Sequence, residues 1–102
     1  MADGTDPPEL SALRAQVQAV DAQIVALVAE RQALAATIGA CKRALDLPLR
    51  DRDREAQVHT QARRVARAHG LPVEVAEAVM RVLIGAAHAA QEPEAAIPAR
   101  EP

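Results

Sequence analysis

The first half of the chain carries an apolar residue every three or four positions: Leu13, Val17, Val20, Ile24, Leu27, Leu34, Ile38, Cys41 and Leu45. The steps between them are 4, 3, 4, 3, 7, 4, 3 and 4 residues, and no proline interrupts the run. A 3.5-residue repeat sustained over more than four heptads marks an α-helix with a single apolar seam. It predicts a helix from about Glu9 to about Ala44, roughly 54 Å long at about 1.5 Å per residue. That exceeds the body of a globule built from 102 residues. A helix of this length has to lie along a partner.

Composition leads to the same conclusion. The chain has no Phe, Tyr or Trp, and alanine occupies 25 positions. Alanine favours helix but adds little buried area, so a core of Ala, Val, Leu and Ile alone is thin for a lone chain of this size. Burial against a second subunit is the expected remedy. The net charge of −2 argues against a nucleic-acid binder, and the missing aromatics remove any stacking platform for single strands. The lone Cys41 has no disulfide partner, suits a reducing cytoplasm, and reads as a small core residue. The opening MADGTDPPEL is acidic and lacks the apolar stretch of a secretory signal, and no run approaches transmembrane length, so no membrane is expected. His59, His69 and His88 have no metal-like spacing, and no phosphate-cradling or nucleophile-elbow motif is present; neither metal nor cofactor is expected.

The remaining sequence is helical in pattern, giving an all-α chain of one domain. Residues 1–8 read as a flexible leader, residues 9–92 as the helical domain, and residues 93–102, with Pro93, Pro98 and Pro102, as a flexible tail. Asp46-Leu47-Pro48 breaks the first helix. A second helix is predicted from about Leu49 to Ala68, stopped by His69-Gly70. A third opens at Leu71-Pro72 and runs to about Gln91, ended by Pro93. Gly39 and Gly85, inside helices, suggest close packing or room for a ligand.

Charges stand where the seam should be apolar. Arg31 occupies the seven-residue gap between Leu27 and Leu34. A cation in an apolar stripe is expensive unless it is paired or held for an anion. Lys42 lies eleven residues on, about three turns along nearly the same face, roughly 16 Å away. Arg14, 28 residues before Lys42, is roughly 42 Å from it on a straight helix and can join it only through an antiparallel partner. The segment PLRDRDRE adds six successive charges, Arg50 to Glu55. As a helical turn it places like charges at i,i+4 and opposite ones at i,i+3, an odd choice for stability alone. Asp51, Arg54, Glu55, Val58 and Ala62 share one stripe, and Met80, Ile84, Ala87, His88 and Gln91 share another. Either a solvated turn or the wall of a charged pocket fits PLRDRDRE.

The ordered set LRAQVQAVDAQIVALVAERQALAATIGACK, PLRDRDRE and LIGAAHAAQ resembles the all-helical chorismate mutases, over about residues 9–92. The resemblance implies three helices per chain, one very long, forming an intertwined homodimer with shared active sites. It implies a role for each matching residue. Arg14 comes from the partner subunit to a substrate carboxylate, and Arg31 binds another carboxylate. Lys42 donates to the ether oxygen and pairs with Glu55. Arg54 orders the pocket and contacts a carboxylate, Asp51 and Glu55 meet the ring hydroxyl, and Gln91 is the second donor to the ether oxygen. Ala87 departs from the pattern, since many relatives carry Ser there, and removes one hydroxyl contact to substrate.

The reaction implied is the rearrangement of chorismate to prephenate, which needs no nucleophile, metal or proton transfer. It needs a folded substrate conformer and donors for the oxygen of the breaking bond, which cations and fixed donors in a dry pocket supply. An isochorismate–pyruvate lyase, a 4-amino-4-deoxychorismate mutase and a non-enzymatic helical dimerisation module remain as alternatives. His88 reads as a half-buried helix residue at the dimer surface.

Overall fold

The computed structural model describes residues 6–92; the expected tail and the first five residues of the expected leader lie outside them. Three helices follow one another: α1 (Pro8–Ala44), α2 (Arg52–Ala68) and α3 (Val73–Gln91). No strand occurs among the described residues, and the all-α expectation is borne out. Helix α1 starts one residue before its predicted beginning, so Pro8 belongs to it. The chain divides between Arg31 and Gln32 into two units.

The first unit is the N-terminal run of α1. Its seam residues stand in the open: Val17 is 59% exposed, Ile24 53% and Leu27 63%. A row of large apolar side chains left in water forfeits about 1.5–3 kcal/mol per residue relative to burial. Nothing within this unit covers them, as the heptad pattern required. The helix is also long and apolar enough to cross a membrane, by length and composition alone, contrary to the expectation that no run approaches that length. Alanines and valines carry the window average over scattered Gln and Asp, which the search for an uninterrupted apolar run overlooked. A helix in the core of a water-soluble protein passes the same test.

The second unit packs the end of α1 with α2 and α3. Its buried hydrophobic residues are Ala35, Ala66 and Ala76, with Gly39 buried beside them. No large side chain is fully buried among the described residues. Cys41, expected as a small core residue, is exposed, because the seam it belongs to is uncovered along its length.

Two matching turns set the helix ends. After α1, Asp46 takes the left-handed conformation at φ 58°, and the Leu47 N–H returns to the Lys42 carbonyl at 2.8 Å. After α2, Gly70 does the same at φ 70°, and the Leu71 N–H returns to the Ala66 carbonyl at 2.8 Å. Each is a Schellman closure, followed at once by Pro48 or Pro72. Helix α2 begins at Arg52, three residues later than predicted. Asp51 is extended (φ −137°, ψ 100°), and its Oδ1 accepts the Arg54 N–H at 3.1 Å, making it the N-cap.

Candidate active site

The late start of α2 changes what PLRDRDRE does. Arg50 and Asp51 precede the helix, so the i,i+3 pairing of Arg50 with Asp53 gives way to a longer reach. Arg50 bridges to Glu55: Nη2 lies 3.2 Å from Oε1, and Nε 3.3 Å from Oε2. The two parallel bonds form a fork across one carboxylate. Asp51 spends an oxygen on the cap, and Arg54 turns along α2 to donate to Gln57 Oε1 at 3.3 Å.

Helix α3 brings a second partner to Glu55. His88 Nε2 lies 2.7 Å from Glu55 Oε2, and both side chains are partly shielded, 32% and 24% exposed. Arg50 and, next, His88 hold the Glu55 carboxyl below its ordinary range, while desolvation opposes them. The residue read from sequence as a half-buried helix residue at the dimer surface therefore grips the acid expected to face substrate. Thirty-three positions separate the pair along the chain. The signal present in the sequence was the shared stripe of His88 and Gln91 on one face of α3.

Lys42 has a different partner from the one implied for it. Its Nζ donates to the Leu49 carbonyl at 2.9 Å, while Glu55 is held by Arg50 and His88. The ammonium thereby ties the end of α1 to the segment just before α2. It is half-buried in the last turn of α1 and bonded to the connection that carries Arg50 and Asp51.

Gln91 is buried at 8% exposure, at the last position of α3. Its burial follows from Gly39, the only residue type that admits it. A Cβ built on Gly39 would stand 2.9 Å from the Gln91 Cα, Cβ and Cγ. The Gln91 carbonyl accepts from Arg43 Nη1, and the Gln32 amide donates to the Ala86 carbonyl at 3.1 Å, so α1 holds the last turn and a half of α3 at two points. Ala87 is half-buried one turn before Gln91. Gly85 faces open space.

The other two expected site residues belong to the first unit. Arg14 lies on α1, largely exposed, with Nε 3.1 Å from Asp6 Oδ2. Arg31 is half-buried on the same helix. Within the second unit the structure gathers Lys42, Arg50, Glu55 and His88 about the head of α2, and seats Gln91 on Gly39. Such a set supplies fixed donors and acids in ion pairs. Among the described residues no cluster of His, Cys, Asp or Glu could hold a metal.

The sequence profile of chorismate mutase type II matches residues 13–92, from the seam of α1 through Gln91. The chain belongs to the chorismate mutase type II family. Among its relatives is the T-protein of Enterobacter agglomerans, 38% identical over 73 residues, 72% of this chain and 20% of that protein. The chorismate mutase of Methanocaldococcus jannaschii is 26% identical over 76 residues, 74% of this chain and 77% of that one. The 4-amino-4-deoxychorismate mutase of Streptomyces pristinaespiralis is 41% identical over 70 residues, 69% of this chain and 53% of that one. The chain thus spans a fifth of the T-protein's length and about half of the Streptomyces relative. The resemblance noted in the sequence is borne out, and so is the chorismate mutase type II fold of three helices with one long member.

Proposed function

We propose that the chain is a chorismate mutase, an isomerase converting chorismate to prephenate, working in the cytoplasm as an intertwined homodimer with two shared sites. The observation that carries this is the family match over residues 13–92, a span that includes every residue expected to meet substrate. The uncovered seam supports the dimer: Leu13, Val17, Val20, Ile24 and Leu27 need an apolar partner, and a second copy supplies the same stripe. An aqueous setting accords with Gln16, Gln18, Asp21 and Gln23 on the same helix, since an acid at bilayer depth costs about 2.5–3.5 kcal/mol.

The reaction breaks the ether C–O bond and forms a C–C bond within one molecule, with no proton moved. Arg14 of the partner subunit and Arg31 grip the two carboxylates, and Arg54 assists. This holds the chain of the substrate folded over its ring, converting a rare conformer into the bound one. As the C–O bond lengthens, negative charge grows on the oxygen. Lys42 and Gln91 donate to it from fixed positions in a site closed to water. The Lys42 ammonium has three N–H donors, so one stays on the Leu49 carbonyl while another meets the substrate oxygen. Asp51 and Glu55 contact the ring hydroxyl, whose single proton goes to one of them. No cofactor, metal or nucleic acid takes part.

Purified chain mixed with chorismate tests the reading. The diene absorbance of chorismate is expected to decay with formation of prephenate; no decay at micromolar enzyme overturns it. The Streptomyces relative gives a specific ground for a second reading, in which the ring substituent is an amine. The same assay run with 4-amino-4-deoxychorismate decides between the two.

A further inference from the structure

Resting on the mutase reading, we propose that His88, together with Arg50, makes this site select a substrate with a hydroxyl on the ring over one with an amine there. Glu55 is the acid whose role is to meet that substituent. An ionised carboxylate offers about four lone-pair positions. Arg50 takes two of them and His88 a third. The other nearby acid, Asp51, is committed through Oδ1 to capping α2. The Glu55 charge is thereby balanced by Arg50 and His88 before a substrate arrives.

The two substituents respond differently to this. A hydroxyl is neutral and needs a single acceptor, and the remaining lone pair of Glu55 provides one. A primary amine at that carbon is an ammonium at neutral pH. It requires a carboxylate whose charge is not already balanced, and it would enter beside the Arg50 guanidinium and the His88 ring N–H. Like charges or opposed donors at this range disfavour binding of the cation while leaving the alcohol untouched. Arg50 lies in the connection before α2 and His88 on α3, so the bias is set from two elements at once. His88 touches Glu55 and acts through it, as a positioning residue for ring-substituent choice.

The test compares kcat/KM for chorismate and for 4-amino-4-deoxychorismate in the parent, His88→Leu and His88→Gln. The parent is expected to prefer chorismate. His88→Leu frees Glu55 and is expected to lower the chorismate preference by about tenfold or more, while His88→Gln, which restores a neutral N–H at similar reach, stays near the parent. A general loss of packing would depress both substrates alike and leave the ratio in place. A ratio unchanged within about twofold in His88→Leu, or a parent that prefers the amine, overturns the inference while leaving mutase activity standing. A parent inactive on both substrates instead sinks the mutase reading itself. If His88→Leu fails to fold by circular dichroism, Arg50→Gln is expected to move the ratio the same way, and an unmoved ratio there is equally fatal.

Discussion

Gly39 and Gln91 meet so closely that a single methyl group on the glycine would overlap the Gln91 backbone, at 2.9 Å from its Cα. Position 39 thus sets where the amide at the end of α3 can stand. Gly39→Ala gains helix propensity of about 0.5–1 kcal/mol. It also overpacks a site where backbone must shift, at a cost of about 1–3 kcal/mol. The net expectation is a modest fall in Tm with a fall of about tenfold or more in kcat, as a small misplacement of a donor is costly to catalysis. Thermal melts and steady-state kinetics with chorismate check both; unchanged kcat would show that Gln91 tolerates displacement.

Lys42→Ala is expected to lower kcat by about two to four orders of magnitude, by removing a donor to the developing oxyanion. Lys42→Arg rescues poorly, since a planar guanidinium does not replace an ammonium. Mixed dimers extend the test. Arg14→Ala and Lys42→Ala homodimers are each expected to be nearly inactive, and co-refolded heterodimers to regain one intact site. Activity no higher than the homodimers, in heterodimers verified by mass, removes the shared site.

Gln91→Glu should confine activity to acid. The amide donates at any ordinary pH. A glutamate donates only while protonated, and above its pKa the carboxylate repels the charge growing on the ether oxygen. The kcat profile from about pH 4.5 to 8.5 is expected to stay flat in the parent and to fall with rising pH in the variant. Two superimposable profiles place Gln91 away from the reacting oxygen.

The Glu55 pairs carry a signature in acid stability. Arg50 and His88 lower the Glu55 pKa in the folded chain. A lowered folded-state pKa stabilises at pH values above the unfolded one, about 4.3, and that stabilisation is lost as pH falls through the lowered value. Glu55→Gln should therefore melt below the parent at pH 7, and the difference should close below about pH 4. Its size is a few degrees, because partly exposed pairs contribute about 0–1 kcal/mol. A gap that persists at pH 3, at matched protein concentration, assigns the loss to packing instead.

The long helix was legible because a heptad seam repeats over so many turns that no other element fits Leu13 to Leu45. The stops were legible for a similar reason: Asp46-Leu47-Pro48 and Gly70-Leu71-Pro72 are the same signal written twice. The first turn of α2 was not. Asp51 could serve as a helix residue paired with Arg54 or as a cap bonded to the Arg54 N–H, and charge pattern alone does not separate side chain from backbone as the partner. That ambiguity displaced the helix start and hid the Arg50 fork. The partner of Glu55 on α3 was hidden because helical periodicity reports which residues share a face, and contact between faces depends on how two helices cross. Close packing at Gly39, in contrast, was foreseeable from a glycine kept inside a helix, although its neighbour was not.

The two Schellman turns make this protein a matter of counting. Each closes with a backbone bond over a fixed number of residues and passes straight into a proline. One extra residue inside α2, between Glu55 and the buried Ala66, would turn Glu55 by about 100° relative to the face that α2 buries. Glu55 would then leave the side of the helix that His88 reaches, although no contacting residue had been altered. Substitutions in these connections are tolerable wherever the backbone keeps its path; insertions inside the helices that follow them are not. Length changes that spare the site are thus expected between the helices and not within them.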